Sequence, residues 1–329
     1  MFTREFLDTI MKAYDVRGLV DKEITADFVF VLGSAFARFL EEEREPATVI
    51  IGEDMRPSSS PFAEAFAAGV TSQGFDAIRI GLASTDMTYF ASGKLNLPGA
   101  MFTASHNPAE YNGIKLCKSA ARPIGQDSGL RRIRDLVIEG VPMPNRAPGK
   151  IQHKEMLDEY VEFLISMFGT ELTDAKRHLK VVIDAGNGMA GYTAPAVMAK
   201  LNVDIVPLYF ELDGTFPNHE ANPIDANNVK DLQAAVKKHK ADIGLAFDGD
   251  ADRCFLIDEK GAIVAPSTLT GLIAVRELKR KPGSSIIYNL ISSKAVPEVI
   301  AEHGGEAIRS RVGHSFIKAM MAETGAIFG

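Results

Sequence analysis

Three stretches of the chain share one opening, a short apolar run that ends in a small or polar loop. They are Thr48-Val-Ile-Ile-Gly52, Lys180-Val-Val-Ile-Asp184 and Ser285-Ile-Ile-Tyr-Asn289. Runs this short and apolar on both faces predict buried parallel strands. After the first, Ser60 is placed to cap a helix, Pro61 suits its first turn, and Ala65, Phe66, Gly69 and Val70 form its apolar stripe before Gly74 stops it. Another apolar run, Ala77 to Ile80, follows. Strand, helix and strand in succession predict consecutive α/β domains with mixed, mostly parallel sheets.

At 329 residues the chain exceeds one ordinary core, and two or three domains are expected. The Pro- and Gly-rich stretch Gly140 to Gly149 is the clearest linker, and a softer one lies near Glu259 to Gly261. The expected domains are 1–148, 149–259 and 260–329. The last residues, Ala326-Ile-Phe-Gly329, are apolar with no polar tail. Apolar termini are usually tied into a sheet, so the chain is expected to continue and the third domain to be incomplete here.

Composition narrows the function. Hydrophobic residues make up 46% and charged residues 24%, the balance of a globular protein. A net charge of −7 gives nucleic-acid binding no global support, so positive charge must be concentrated locally if phosphates are handled. No run of 18 apolar residues exists to span a membrane, and the charged opening is unlike a signal peptide. Cys117 and Cys254 sit in apolar runs and read as buried free thiols, which suits a reducing, cytoplasmic setting. Oligomeric state is left open by these features.

The segment richest in chemistry is Gly99-Ala-Met-Phe-Thr-Ala-Ser-His-Asn-Pro108. An apolar strand delivers Thr103 to Pro108 to a loop beyond its carboxyl end, where open α/β sheets place ligands. Ser105 could serve there as a nucleophile or phosphate carrier, with Asn107-Pro108 turning it outward. His106 is its neighbour in sequence, which does not make it the activating base. Asn112-Gly113 reads as a hairpin turn that returns Lys115 towards the serine loop. The same residues also suit an ordinary polar turn.

In Gly244-Leu-Ala-Phe-Asp-Gly-Asp-Ala-Asp-Arg253, Asp248, Asp250 and Asp252 fall at alternate positions after an apolar run. Three carboxylates this close repel without a counter-ion, and an all-oxygen shell suits Mg²⁺ or Ca²⁺ rather than zinc. Arg253 adds a guanidinium fork for phosphate oxygens. An EF-hand is excluded, because Arg253 occupies the position that requires glycine. Gly186, Gly188 and Gly191 follow a strand in the dinucleotide-binding spacing, and Glu211 lies about 20 residues on. A Gly-rich turn serving packing explains those glycines equally, and Pro195 is expected in a following helix only near its start. Tyr14 to Gly18 places Arg17 in an early loop. Phe216 to Pro223 is turn-rich, with no chemistry inferable on its own. His314 after Gly313 could stand as a base or as an ordinary cap residue.

Together, Tyr14-Asp-Val-Arg-Gly18, TASHNP, YNGIK, GNG, FPNHEANP, DGDADR and VGHS stand in the order of the α-D-phosphohexomutase superfamily. The chain resembles most closely its bacterial phosphomannomutase/phosphoglucomutase branch. The resemblance implies an isomerase that interconverts hexose 6-phosphate and hexose 1-phosphate through hexose 1,6-bisphosphate. It implies that Ser105 is the phosphoserine and that Ser105, Asp248, Asp250 and Asp252 hold one Mg²⁺. Arg17, Lys115 and Arg253 would surround the transferring phosphoryl group, with His106 beside them. Tyr14, Thr103, Asn107, Arg253 and Gly313 would contact substrate, and His314 would assist proton transfer. The partners implied are small sugar phosphates, with neither nucleic acid nor membrane. Relatives have four domains, so little turnover is expected of these 329 residues alone. Phosphoglucosamine mutase, a non-catalytic fragment that binds Mg²⁺ and sugar phosphate, and an NAD-type site at the three glycines are the competing readings.

Overall fold

The computed structural model describes residues 2–168 and 177–329 and divides into two compact units, Met1–Ala262 and Ile263–Gly329. Both are α/β. The larger unit holds two sheets. Its first contains β1 (Val16–Leu19), β2 (Thr48–Glu53), β3 (Asp76–Leu82), β4 (Gly99–Phe102), β5 (Tyr111–Lys118), β6 (Arg122–Pro123) and β7 (Ile151–His153). The order is β1-β5-β4-β2-β3-β7, with β6 beside β5. Strands β4, β2, β3 and β7 run parallel, whereas β1, β5 and β4 pair antiparallel. The second sheet, in the order β11-β10-β8-β9, is built from β8 (Leu179–Asp184), β9 (Val203–Leu208), β10 (Ile243–Phe247) and β11 (Cys254–Ile257). Only β11 is antiparallel there.

Helices cover both faces of the first sheet. On one side pack α1 (Arg4–Ile10), α2 (Ala26–Glu42), α3 (Ser59–Ser72) and, further on in the chain, α5 (Leu130–Glu139); their core includes Leu32, Phe36, Phe66 and Phe102. On the other lie α4 (Thr85–Leu95) and α6 (Leu157–Phe168), around Met87, Met156 and Tyr160. The second sheet is covered by α7 (Ala190–Met198) and α8 (Lys230–His239).

In each sheet the chain runs from a first strand through a helix to a neighbour on one side, then crosses to the other side. The direction reverses between β2 and β4 in the first sheet, and between β8 and β10 in the second. Loops that leave the carboxyl ends of such a pair flank a crevice, the usual ligand position in open α/β sheets. The serine loop follows β4 and the aspartate loop follows β10, so both arise at equivalent places.

The smaller unit contains α9 (Pro266–Arg280), β12 (Ser285–Asn289), α10 (Ala295–Glu302), β13 (Glu306–Ser310) and α11 (His314–Thr324). Strands β12 and β13 are parallel, and Phe328 bridges to Ile286. Ile286, Val296 and Ile300 form its core.

Several expectations change. The first sheet runs past residue 148, because β7 hydrogen-bonds along β3. Helix α3 starts before Ser60: its N-cap is Ser58, and Ser60 and Pro61 lie inside the first turn. Pro195 sits well inside α7, where its missing bond falls on Gly191. Asn112 and Gly113 are not a hairpin turn but part of β5. Gly113 is there because a Cβ would meet Val16 O at 2.5 Å and Thr103 O at 2.8 Å. Lys115 is still returned beside the serine loop, paired with Met101 across the β4–β5 ladder.

Candidate active site

Ser105 is buried at the turn beyond β4 with φ +53°, a left-handed conformation uncommon for a serine. Its N–H donates to Thr103 Oγ1 at 2.8 Å, which fixes the start of the turn. Its Oγ donates to Asp248 Oδ2 at 2.8 Å and accepts from Arg253 Nη2. Arg253 Nη2 also donates to His106 Nδ1 at 2.7 Å, while Ser105 Oγ is 3.5 Å from that nitrogen. Since arginine only donates, His106 Nδ1 must be the acceptor. On the far side of the loop, Asn107 Oδ1 accepts from Arg17 Nη1, whose Nη2 pairs with Asp15. Tyr14 lies half-buried in the bend before β1.

The aspartate loop turns tightly between β10 and β11, with Ala251 at φ +58°. Asp248, Asp250 and Asp252 each offer an oxygen within 4.8 Å of the others. Asp248 and Asp250 are fully buried, and Asp252 is partly exposed. Lys115 Nζ reaches Asp250 Oδ2 at 2.6 Å, Asp252 Oδ2 at 2.8 Å and Thr85 Oγ1 at 3.2 Å. Thr85, at the start of α4, also donates its hydroxyl to Asp250 and its N–H to the Asp250 carbonyl. Among the described residues, Asp250 Oδ1 is buried with no hydrogen-bond partner. An orphaned carboxylate oxygen beside two further carboxylates fits an oxygen-seeking cation.

The Gly-rich turn after β8 backs onto this loop. Met189 N–H donates to Gly249 O, and a Cβ on Gly188 would meet that oxygen at 2.7 Å. A Cβ on Gly191 would meet Phe210 O at 2.2 Å. These glycines permit close packing, which accounts for them without a nucleotide.

Three family models match in succession, describing domains I, II and III of the phosphoglucomutase/phosphomannomutase α/β/α architecture, at residues 8–140, 158–261 and 266–329. The chain belongs to the phosphoglucomutase/phosphomannomutase family. It is 37% identical to the phosphomannomutase of Vibrio cholerae serotype O1 over 98% of this chain and 70% of that protein. With the phosphoglucomutase of Neisseria meningitidis serogroup A it shares 36% identity over 97% of this chain and 68% of the relative. The crystal structure of a family protein from Burkholderia thailandensis matches all of this chain and 71% of its own, with a TM-score of 0.91 and 31% identity. The chain is therefore an isomerase of the phosphoglucomutase/phosphomannomutase class.

The electrostatics of this family member are set by crowding. Burial pushes the Asp248 carboxyl well up, and Asp250 and Asp252 push it further against the pull of Arg253. Burial opposes ionisation of Asp250 too, but the Lys115 ammonium outweighs it and holds that carboxyl low. Burial likewise works against charge on Lys115, and the two aspartates overcome it and raise its pKa. The His106 ring is pulled down to about 4 by burial and by Arg253 and Arg17. It is neutral near pH 7.

Thr103, Ser105, His106, Lys115, Arg253 and the three aspartates are thus joined in one network, and Arg17 and Asn107 pair beside it on the serine loop. Gly313, at φ +135°, caps α11 in the smaller unit, and the His314 side chain lies outside the described residues. Among residues that sequence reasoning overlooks are Thr85 and Arg56. Arg56 donates to the carbonyls of Ser105, Asn107, Pro108 and Tyr111 at 2.6–3.2 Å.

Proposed function

We propose that the chain interconverts the 6-phosphate and 1-phosphate of a hexose, mannose or glucose, with phospho-Ser105 as carrier and a hexose 1,6-bisphosphate as intermediate. The observation that carries this reading is the surround of Ser105 Oγ: Asp248 accepts a hydrogen bond from its hydroxyl on one side and Arg253 offers a cation on the other. A weak nucleophile needs both features to exchange a phosphoryl group.

In the first transfer the Oγ–P bond of phospho-Ser105 breaks as a bond forms between phosphorus and the free sugar hydroxyl. The hydroxyl proton leaves to Ser105 or to solvent. The bisphosphate then turns over. The bond between its other phosphoryl group and the sugar oxygen breaks as phosphorus bonds to Ser105 Oγ, and the Ser105 proton passes to the leaving sugar oxygen directly or through solvent. Arg253 follows the charge on the phosphoryl oxygens, and Lys115 keeps Asp250 ionised while pairing with Asp252. Arg17 holds Asn107, and His106, neutral and engaged by Arg253, orients that guanidinium rather than acting as a base. Mg²⁺ would be held by Asp248, Asp250, Asp252 and the group on Ser105, and it supplies neutralisation of phosphoryl charge. Tyr14, Gly313 and His314 are assigned to substrate contact by family membership alone.

The test is to treat the purified chain with glucose or mannose 1,6-bisphosphate and Mg²⁺ and map the product by peptide mass spectrometry. One phosphoryl group on Ser105 is expected. A phosphate on another residue, with Ser105 bare, would overturn the mechanism. Glucosamine 1,6-bisphosphate in parallel distinguishes a phosphoglucosamine mutase.

A further inference from the structure

Arg56 occupies a position that nothing in the proposed chemistry uses. It follows β2 at the reversal point of the first sheet, and its side chain is wholly buried. Burying a guanidinium is costly, and a simple turn does not need one. Here the planar fork gathers three carbonyls of the serine loop and the first of β5: Ser105 O at 3.2 Å, Asn107 O at 2.6 Å, Pro108 O at 2.8 Å and Tyr111 O at 3.0 Å. Asp54 Oδ2 lies 3.3 Å from its Nε. With those carbonyls turned towards Arg56, the opposite side of the loop, including Ser105 Oγ, is presented to Asp248 and Arg253.

The second sheet supplies a lock. Phe216, from the turn-rich segment to which no chemistry could be assigned, stacks its ring 5.0 Å from the Arg56 guanidinium carbon. Its φ is +52°, a strained value for an aromatic residue that persists only where surroundings hold it. The same ring lies 3.6 Å from where a Cβ on Gly249 would stand, and that Cβ would meet Ser105 O at 2.4 Å. Phe216 is itself tied to the Gly-rich turn, since its N–H donates to Asp213 O and Asp213 N–H donates to Asn187 O. One residue thus touches both the clamp on the serine loop and the back of the aspartate loop.

We infer that Arg56 is a positioning residue for Ser105, and that Phe216 locks it so that the serine carrier and the carboxylate cradle keep a fixed separation. The inference rests on the phosphoserine reading above. Arg56 acts through the loop and touches no reacting atom.

The test is the rate of Ser105 phosphorylation by glucose 1,6-bisphosphate, followed by intact mass in the native chain and in Arg56→Lys, Arg56→Ala and Phe216→Leu. Lysine keeps the charge but not the planar fork. At saturating bisphosphate, Arg56→Lys is expected to be slower by about 100-fold, the scale of an ångström-sized misplacement. Its half-saturating bisphosphate concentration and its Mg²⁺ affinity should stay near native values. Added guanidinium at millimolar concentration should partly restore Arg56→Ala and leave the native rate unchanged. Phe216→Leu should be slowed less, again at saturation. Native saturated rates in the variants, or losses that appear only as weaker Mg²⁺ and bisphosphate binding, would overturn the inference. If the Arg56 variants fail to fold, Phe216→Leu decides it by the same criterion. A native chain that never loads Ser105 overturns the phosphoserine reading itself, a separate result.

Discussion

Lys115 Nζ lies 2.6 Å from Asp250 Oδ2, both groups are almost wholly buried, and the other oxygen of that carboxylate has no partner among the described residues. The lysine therefore neutralises half of a crowded acidic site and leaves the other half for a cation. Lys115→Met removes the internal counter-charge. The metal-free variant should lose about 3–5 kcal/mol of stability, as when one partner of a buried pair is deleted. Saturating Mg²⁺ should recover more of that loss than it adds to the native chain, because three carboxylates with Arg253 as their remaining counter-charge gain more from an ion. Thermal unfolding with and without Mg²⁺ measures both effects. Equal Mg²⁺ shifts in the two proteins would contradict the coupling.

Metal linkage can be read without any activity. A ligand that binds only the folded state at 100 times its dissociation constant adds about 2.7 kcal/mol of stability. The native chain should gain on that order from Mg²⁺, and chelation should remove it. Asp250→Asn deletes the charge that makes the orphaned Oδ1 a ligand, and at the same Mg²⁺ concentration it should gain far less. Isothermal titration should give the same ranking.

The candidate site was partly legible because its chemistry is dense in the chain. Ser105 and the three aspartates each follow a short apolar strand, and β4 and β10 do end where expected. Arg56 carried no such mark. Its partners are backbone carbonyls, which every residue possesses, so only its place just beyond β2 hints at a role. Thr85 is similar, an ordinary helix-start threonine until Asp250 is folded against it. Asn112-Gly113 misled in the opposite direction, since the demand for glycine comes from Val16 and Thr103 on neighbouring backbone rather than from a turn. Phe216 was legible only as the start of a turn-rich family motif, because its contact is with a guanidinium from the other sheet.

His219 gives a pH signature away from the aspartate cradle. Its Nε2 lies 3.0 Å from the buried Asp184 carboxylate, and its Nδ1 lies 2.9 Å from Glu220 O. Asp231 adds distant attraction, and the Tyr209 ring packs edge-on. Burial alone would lower the histidine, but the carboxylate bond outweighs it and the pKa is raised. The folded chain thus holds this proton to higher pH than the unfolded chain, whose histidines titrate near about 6.5. The stabilisation is complete below that value and is lost as pH rises through the folded pKa. The stability difference between native and His219→Gln proteins should therefore be largest near about pH 6 and shrink above neutrality. Denaturant unfolding at a series of pH values would show it, and a difference that grows with pH would reverse the assignment.

Three glycines separate close packing at the site from ordinary stability. A Cβ on Gly249 would stand 2.4 Å from Ser105 O, and one on Gly188 would stand 2.7 Å from Gly249 O, so either must move the aspartate loop. Gly93, inside α4, has nothing among the described residues within 4 Å of its would-be Cβ. Gly249→Ala and Gly188→Ala should each cost about 1–3 kcal/mol, the scale of forced overpacking. Gly93→Ala should instead stabilise by about 0.5–1 kcal/mol through helix propensity. Phosphorylation of Ser105 should fall furthest in Gly249→Ala, where the clash is with the carrier residue itself, and remain native in Gly93→Ala. If Gly249→Ala loads Ser105 at the native rate, the two loops tolerate a change in spacing and their contact does not set the geometry of transfer.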